Sequence, residues 1–275
     1  MTKEIDRRTL LAISTLLATG AAFPAAADDK PTGDPRGAIM EIPPDAPKVA
    51  MLIHPKMVAI DLIGPMSVFN IMRFNVQLVW KDKTPVTTEL GIPIQATHTF
   101  EECPSDLDVL FVAGGLMGTI DCMNDPDVLA FLADRGERAK WVTSVCTGGL
   151  LIGAAGLLKG YDATANWTVT DLLPLLGARH VDKRVVRDRN RMTGAGATAG
   201  LDFALELSAE MKGEEAARRV QLILEYAPAP PFSNGTPKQA GPQRVAEMRK
   251  RRTGMDRQAR AAAELAGKRL GISRG

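Results

Sequence analysis

Cysteine and histidine are both scarce in this chain. Cys103, Cys122 and Cys146 allow at most one bridge, which excludes a fold built on disulfides. His54, His98 and His180 stand apart, with no CxxC or HxxxH spacing, so no metal centre built by the chain is expected. There is no Gly-x-Ser-x-Gly elbow and no P-loop. The net charge is only +2, which gives no reason to expect a nucleic-acid partner. Low-complexity tracts are absent, which excludes a mainly disordered or collagen-like chain. What is present is 275 residues, 45% of them hydrophobic, ample for a buried core in one large domain or two small ones.

The ends differ in composition from the middle. Arg7-Arg8 precedes an uncharged, Ala- and Leu-rich run that closes on Ala25-Ala26-Ala27. Residues 1–27 therefore resemble a twin-arginine-type export signal, which implies a bacterial periplasmic protein starting near Asp28. The alternative is a retained anchor, although Ser14, Thr15, Thr19, Gly20 and Pro24 interrupt the run. Residues 28–47 hold five prolines (Pro31, Pro35, Pro43, Pro44, Pro47) and suggest a tether or surface arm. Beyond residue 243 the chain carries 10 Lys+Arg against 3 Asp+Glu. This basic, Ala-rich tail (242–275) is read first as a terminal helix packed on its own domain or on a partner copy. The second reading is a contact with an anionic surface.

Between these ends, strands alternate with helices. Val49–Ile53, Val76–Trp80, Asp108–Val112 and Trp141–Val145 are short, largely apolar runs of the kind buried on both faces. Helical spacing follows over Ile60–Met72, Asn124–Ala139, Thr147–Leu158, Ala197–Met211 and Glu214–Tyr226, with a short helix over Val169–Leu176. Hairpins are expected around Glu89-Leu90-Gly91 and Asp188–Asn190. The pattern predicts an α/β fold with a mostly parallel sheet between helical layers.

Ser144-Val145-Cys146-Thr147-Gly148 joins a buried strand to a helix with no loop between. The turn at Cys146 must be sharp, as in a nucleophile elbow. The helix end favours thiolate, so the Cys146 thiol is expected below its ordinary range. The alternative is a buried structural thiol. Asp61 follows the first strand among apolar neighbours and is the best carboxylate partner; its other reading is a helix N-cap. Gly194-Ala195-Gly196-Ala197-Thr198-Ala199-Gly200 has one residue too many for a dinucleotide loop and reads more simply as a tight turn. An oxidising periplasm would allow a Cys103–Cys122 bridge, though nothing in the sequence demands it.

Four motifs carry a resemblance to the ThiJ/PfpI group of class I glutamine-amidotransferase-like proteins, over residues 48–241. They are Ile60-Asp61-Leu62-Ile63-Gly64-Pro65, Val112-Ala113-Gly114-Gly115, Ser144-Val145-Cys146-Thr147-Gly148, and Thr193-Gly194-Ala195-Gly196 with Thr198-Ala199-Gly200-Leu201-Asp202. The resemblance implies a flavodoxin-like three-layer sandwich, a homodimer and no cofactor. Asp61 with Cys146-Thr147 is most similar to the isonitrile-hydratase branch, where a small substrate is hydrated by Cys146 with Asp61 moving protons. In that scheme the Thr147 hydroxyl bonds the intermediate, and the N–H groups of Gly115 and Thr147 stabilise charge beside Gly114. The chain departs from many relatives at Asn166, where histidine often precedes the tryptophan, and at Ala113, where proline is common. Two other readings stay open: a non-catalytic thiol or ligand sensor, and glyoxalase- or deglycase-like action on 2-oxoaldehydes.

Overall fold

The computed structural model describes residues 42–272. Residues 1–27, expected from the sequence to be an export signal, and most of the proline-rich arm lie outside the described residues. In chain order the strands are β1 (Lys48–Leu52), β2 (Asn75–Trp80), a short pair β3 (Val86–Thr87) and β4 (Pro93–Ile94), β5 (His98–Thr99), β6 (Val109–Val112), β7 (Trp141–Val145), a second short pair β8 (Asp162–Ala163) and β9 (Arg179–His180), β10 (Val185–Asp188) and β11 (Arg191–Gly194). The helices are α1 (Ala59–Ile71), α2 (Leu116–Met123), α3 (Pro126–Arg138), α4 (Gly148–Ala154), α5 (Ala199–Lys212), α6 (Glu214–Ile223), α7 (Pro237–Ala240) and α8 (Pro242–Arg269), with a 3₁₀ turn over Thr170–Leu176.

Seven strands form one sheet in the order β10-β11-β7-β6-β1-β2-β5. All neighbours are parallel except the β10–β11 hairpin at the edge. Every residue of β6 is buried, and so are four of the five in β1 and in β7. Helices cover both faces, so these strands read as continuous apolar runs rather than alternating ones. On one face Leu62, Val68 and Phe69 of α1 meet Phe203, Ala204 and Leu207 of α5 over Met51 and Phe111. On the other, α2, α3, α4 and the 3₁₀ turn pack on Ala50, Leu110 and Val142. Each fully buried Leu, Met or Phe here contributes about 1.5–3 kcal/mol. The architecture is the flavodoxin-like α/β sandwich.

The strand order positions the site. The chain leaves β1 for β2 on one side and returns to β6 on the other, so a crevice opens above the carboxyl ends of β1 and β6. Register aligns Leu52 with Val112 and Val112 with Ser144. The segments leaving β1, β6 and β7 therefore start at one level, side by side.

One expectation changes and one choice between readings is decided. The helix after Cys146 was expected to run to Leu158 but stops at Ala154. Gly156 turns left-handed (φ +84°), and Leu157 N–H donates to Ile152 while Gly156 N–H donates to Gly153, a Schellman closure. The basic tail is no appendage. It is the 28-residue helix α8, and its Ala259, Ala262, Ala263 and Ala266 enter the main core. The first of the two readings of the tail is what the fold contains. Small residues let this helix lie close: a Cβ on Gly267 would stand 2.4 Å from the Leu175 carbonyl oxygen. Gly267→Ala is expected to cost about 1–3 kcal/mol, read as a lower urea midpoint with unchanged slope. An unchanged midpoint would show that the helix can lift off freely.

Candidate active site

The turn at Cys146 is as tight as the sequence requires. Its backbone sits at φ +57°, the left-handed region, which an L residue adopts only when its surroundings enforce it. Cys146 N–H donates to the Gly194 carbonyl at 3.1 Å, tying the elbow to β11. Gly148 completes the bend. A Cβ there would stand 2.4 Å from the Val112 carbonyl oxygen, so only glycine lets α4 start against β6.

Asp61 is not the N-cap of α1. That position is Val58, and the free N–H of Ala59 is taken instead by Glu89 Oε2 at 2.8 Å. Asp61 sits in the first helical turn and is fully buried. Its Oδ2 accepts from Gly114 N–H at 2.9 Å. Its Oδ1 makes no hydrogen bond among the described residues, and the Cys146 thiol, a hydrogen donor, adjoins the carboxyl. Gly114 is the point of convergence. A Cβ built on it would lie 2.6 Å from Thr147 N, 2.7 Å from Asp61 Oδ2 and 2.8 Å from Cys146 Cβ.

The electrostatics correct the expectation of a resting thiolate. Burial pushes the Asp61 carboxyl up to about 6, aided by the charge of Glu89 and opposed by the hydrogen bonds from Cys146 and Gly114. Burial, and then the Asp61 carboxylate, push the Cys146 thiol well above its usual range. The Thr147 N–H and the Asn166 amide favour thiolate but do not prevail. A seven-residue helix with a carboxylate at its mouth cannot hold a second negative charge in a buried site. At neutral pH the pair rests as thiol and carboxylate, which makes Asp61 a base in contact with the proton it would take.

Two of the assigned donors are already committed. Gly115 N–H donates to Thr147 Oγ1 at 2.9 Å, and the same oxygen pairs with the Thr119 hydroxyl at 2.9 Å. The Gly115 N–H and the Thr147 hydroxyl therefore brace the β6–α2 turn against the elbow rather than face a substrate. The Thr147 N–H remains on the sulfur. Asn166 adjoins Cys146. Its N–H donates to the Cys146 carbonyl at 3.1 Å, and its Oδ1 accepts from Thr168 N–H at 3.1 Å and the Thr168 hydroxyl at 2.7 Å. Its amide NH₂ is thus left to turn toward the thiol. His54 is not a base here. It is buried, its ring nitrogens lie near the Pro55 and Ala113 carbonyls, and desolvation lowers its basicity. All three cysteines are free thiols, so Cys103 and Cys122 are not bridged.

The motif residues Asp61, Gly114, Gly115 and Cys146 thus meet above the switch point, and a family model for DJ-1/PfpI matches residues 47–210 around them. The chain belongs to the DJ-1/PfpI family. It is 49% identical over 205 residues to an isonitrile hydratase of Pseudomonas putida, covering 74% of this chain and 89% of that protein. A ThiJ/PfpI family protein from Pseudomonas syringae superposes with a TM-score of 0.77 at 42% identity, over 89% of this chain and 98% of that one. A deglycase of Thermococcus kodakarensis is 29% identical over 132 residues, 48% of this chain and 79% of that protein. The chain is an isonitrile-hydratase-like enzyme of the family.

Three groups of this family member escaped the motifs. Glu89 lies in a surface hairpin, and nothing in its local sequence links it to α1. Thr119 stands on a helix with no signal beyond its distance from Gly115. Arg249 comes from a tail that reads as basic surface.

Proposed function

We propose that this protein hydrates isonitriles to N-substituted formamides. The observation that carries the proposal is the buried pair of Asp61 and Cys146, in which one carboxyl can both take and return a proton. The Cys146 sulfur attacks the terminal isonitrile carbon while Asp61 takes the thiol proton. Protonated Asp61 then delivers that proton to the same carbon. The product is a thioimidate, S–CH=N–R. Water adds across its C=N bond, with Asp61 removing a water proton and the nitrogen gaining one. The C–S bond breaks, the hydroxyl proton returns to the thiolate, and the formamide leaves. The Asn166 amide and the Thr147 N–H face the sulfur while its charge develops.

The test is turnover of a panel of small isonitriles, followed as formamide, with Cys146→Ala as control. Turnover should vanish in the variant. In the parent, kcat/KM should fall as pH drops through about 6, because protonated Asp61 cannot accept the thiol proton. Turnover that persists without the thiol would sink the scheme. A flat profile from pH 5 to 8 would remove Asp61 as the base. Deglycase action on 2-oxoaldehydes is the second reading, supported by the similarity to the Thermococcus deglycase. Formation of the hydroxy acid from a 2-oxoaldehyde, with no formamide from isonitriles, would favour it.

A further inference from the structure

The last helix reaches back to the segment that carries Asn166. The family model ends at residue 210, whereas α8 begins at Pro242. From α8 the Arg249 guanidinium donates to the Trp167 carbonyl at 3.2 Å and to the Thr168 carbonyl. Its Cζ stands 5.1 Å from the centre of the Trp167 ring. Asp256 at 3.3 Å and Asp171 at 3.7 Å hold it in place. Thr168 in turn grips Asn166 Oδ1 through both its N–H and its hydroxyl. Asn166 N–H closes the series on the Cys146 carbonyl.

Residues 164–169 have no regular secondary structure beyond a turn: Val169 N–H serves the Asn166 carbonyl at 2.9 Å, while the Trp167 carbonyl has within reach only the Thr170 hydroxyl at 3.5 Å besides Arg249. A planar fork can serve two adjacent carbonyls at once; a lysine ammonium is a single point on a flexible stem. Arg260 supplies the comparison. It lies on the same helix and pairs with Asp171 at 2.7 Å, and its hydrogen bond goes to no part of the Asn166 segment.

We infer that Arg249 is a positioning residue for the active site: by holding the Trp167 and Thr168 carbonyls it fixes the Asn166 amide against Cys146. The inference rests on Cys146 as the reacting group, and not on which electrophile it attacks. The C-terminal helix is then part of the catalytic apparatus in this chain.

The test compares Arg249→Ala, Arg249→Lys, Arg260→Ala, Asn166→Ala and the double variant Arg249→Ala/Asn166→Ala. Loosening a group at the reacting centre should lower kcat by about tenfold in Arg249→Ala with little change in KM. Arg249→Lys should recover only part of this, and Arg260→Ala should match the parent. The decisive readout is the double variant. If Arg249 acts through Asn166, the double variant loses no more than Asn166→Ala alone, to within about twofold. Losses that multiply would overturn the inference, as would an Arg249→Ala enzyme with the kcat of Arg260→Ala. The same cycle is read a second way, as the rate of Cys146 alkylation by iodoacetamide followed by peptide mass. That readout needs no substrate, so it decides the role of Arg249 even if no isonitrile is turned over. Equal melting temperatures for Arg249→Ala and Arg260→Ala separate positioning from unfolding.

Discussion

Asp61→Asn is expected to unfold at a higher temperature than the parent at neutral pH while losing nearly all turnover. Asp61 is fully buried, and burial raises its carboxyl from 3.8 to about 6. The folded protein therefore holds a proton there more tightly than the unfolded chain does. That contribution to stability is complete below 3.8 and is lost as pH rises to about 6. Above this range the ionised group costs about 3 kcal/mol. An asparagine has the same shape, can still accept from Gly114 N–H, and carries no charge to desolvate. The stability gain should be largest above neutral pH and mostly gone near pH 4, measured by thermal melts of both proteins across that range. Activity should fall by about a hundredfold or more, since no base remains beside the thiol. A variant that is less stable at neutral pH, or that still turns over, would contradict the electrostatic account of the site.

Gly114→Ala should abolish the site by crowding alone. The added methyl would fall 2.6 Å from Thr147 N, 2.7 Å from Asp61 Oδ2 and 2.8 Å from Cys146 Cβ. Two of these three neighbours are fixed close to the main chain, on the strained elbow, so they cannot swing away as a long side chain would. Either Asp61 leaves the Gly114 N–H, or the elbow shifts. Both separate the carboxylate from the thiol. Kinetics should show a loss of about a hundredfold, and unfolding should show a cost of about 1–3 kcal/mol from overpacking. Activity within a few fold of the parent would mean that Asp61 and Cys146 need not be held together.

Much of the architecture was legible because buried strands and amphipathic helices announce themselves. Val109–Val112 is apolar throughout, and Trp141–Val145 interrupts its apolar residues only with the small Thr143 and Ser144, a pattern that fits a doubly covered strand. The Cys146 elbow was legible because Gly148 follows a strand with no room for a loop. The tail was harder. Its alanines at 259, 262, 263 and 266 have helical spacing, but the arginines between them dominate the composition. The bury-or-expose decision for such a helix depends on a complementary face, here the 3₁₀ turn and α4, which the local sequence does not describe.

The charge state of the site is hidden from the local sequence for a similar reason. A helix N-terminus argues for a thiolate, but it acts together with burial and with every neighbouring charge. Desolvation grows with the number of apolar atoms packed around the sulfur, which come from several elements distant in sequence. Gly115 and Thr147 were likewise assigned to the substrate from their place in the motifs, yet they satisfy each other across the β6–β7 junction.

Residue types and their order along the chain determined the fold class, the elbow and the two groups that can do chemistry, because periodicity and tight turns are local properties. Tertiary structure alone decided that Asp61 lies buried beside Cys146 rather than capping a helix, and that burial favours the thiol form of Cys146. It also decided that Arg249 stands behind Asn166. These outcomes depend on distances and dielectric between segments far apart in the chain. Only the parallel order of β1, β6 and β7, and the last helix packed on α2 and the 3₁₀ turn, set those distances.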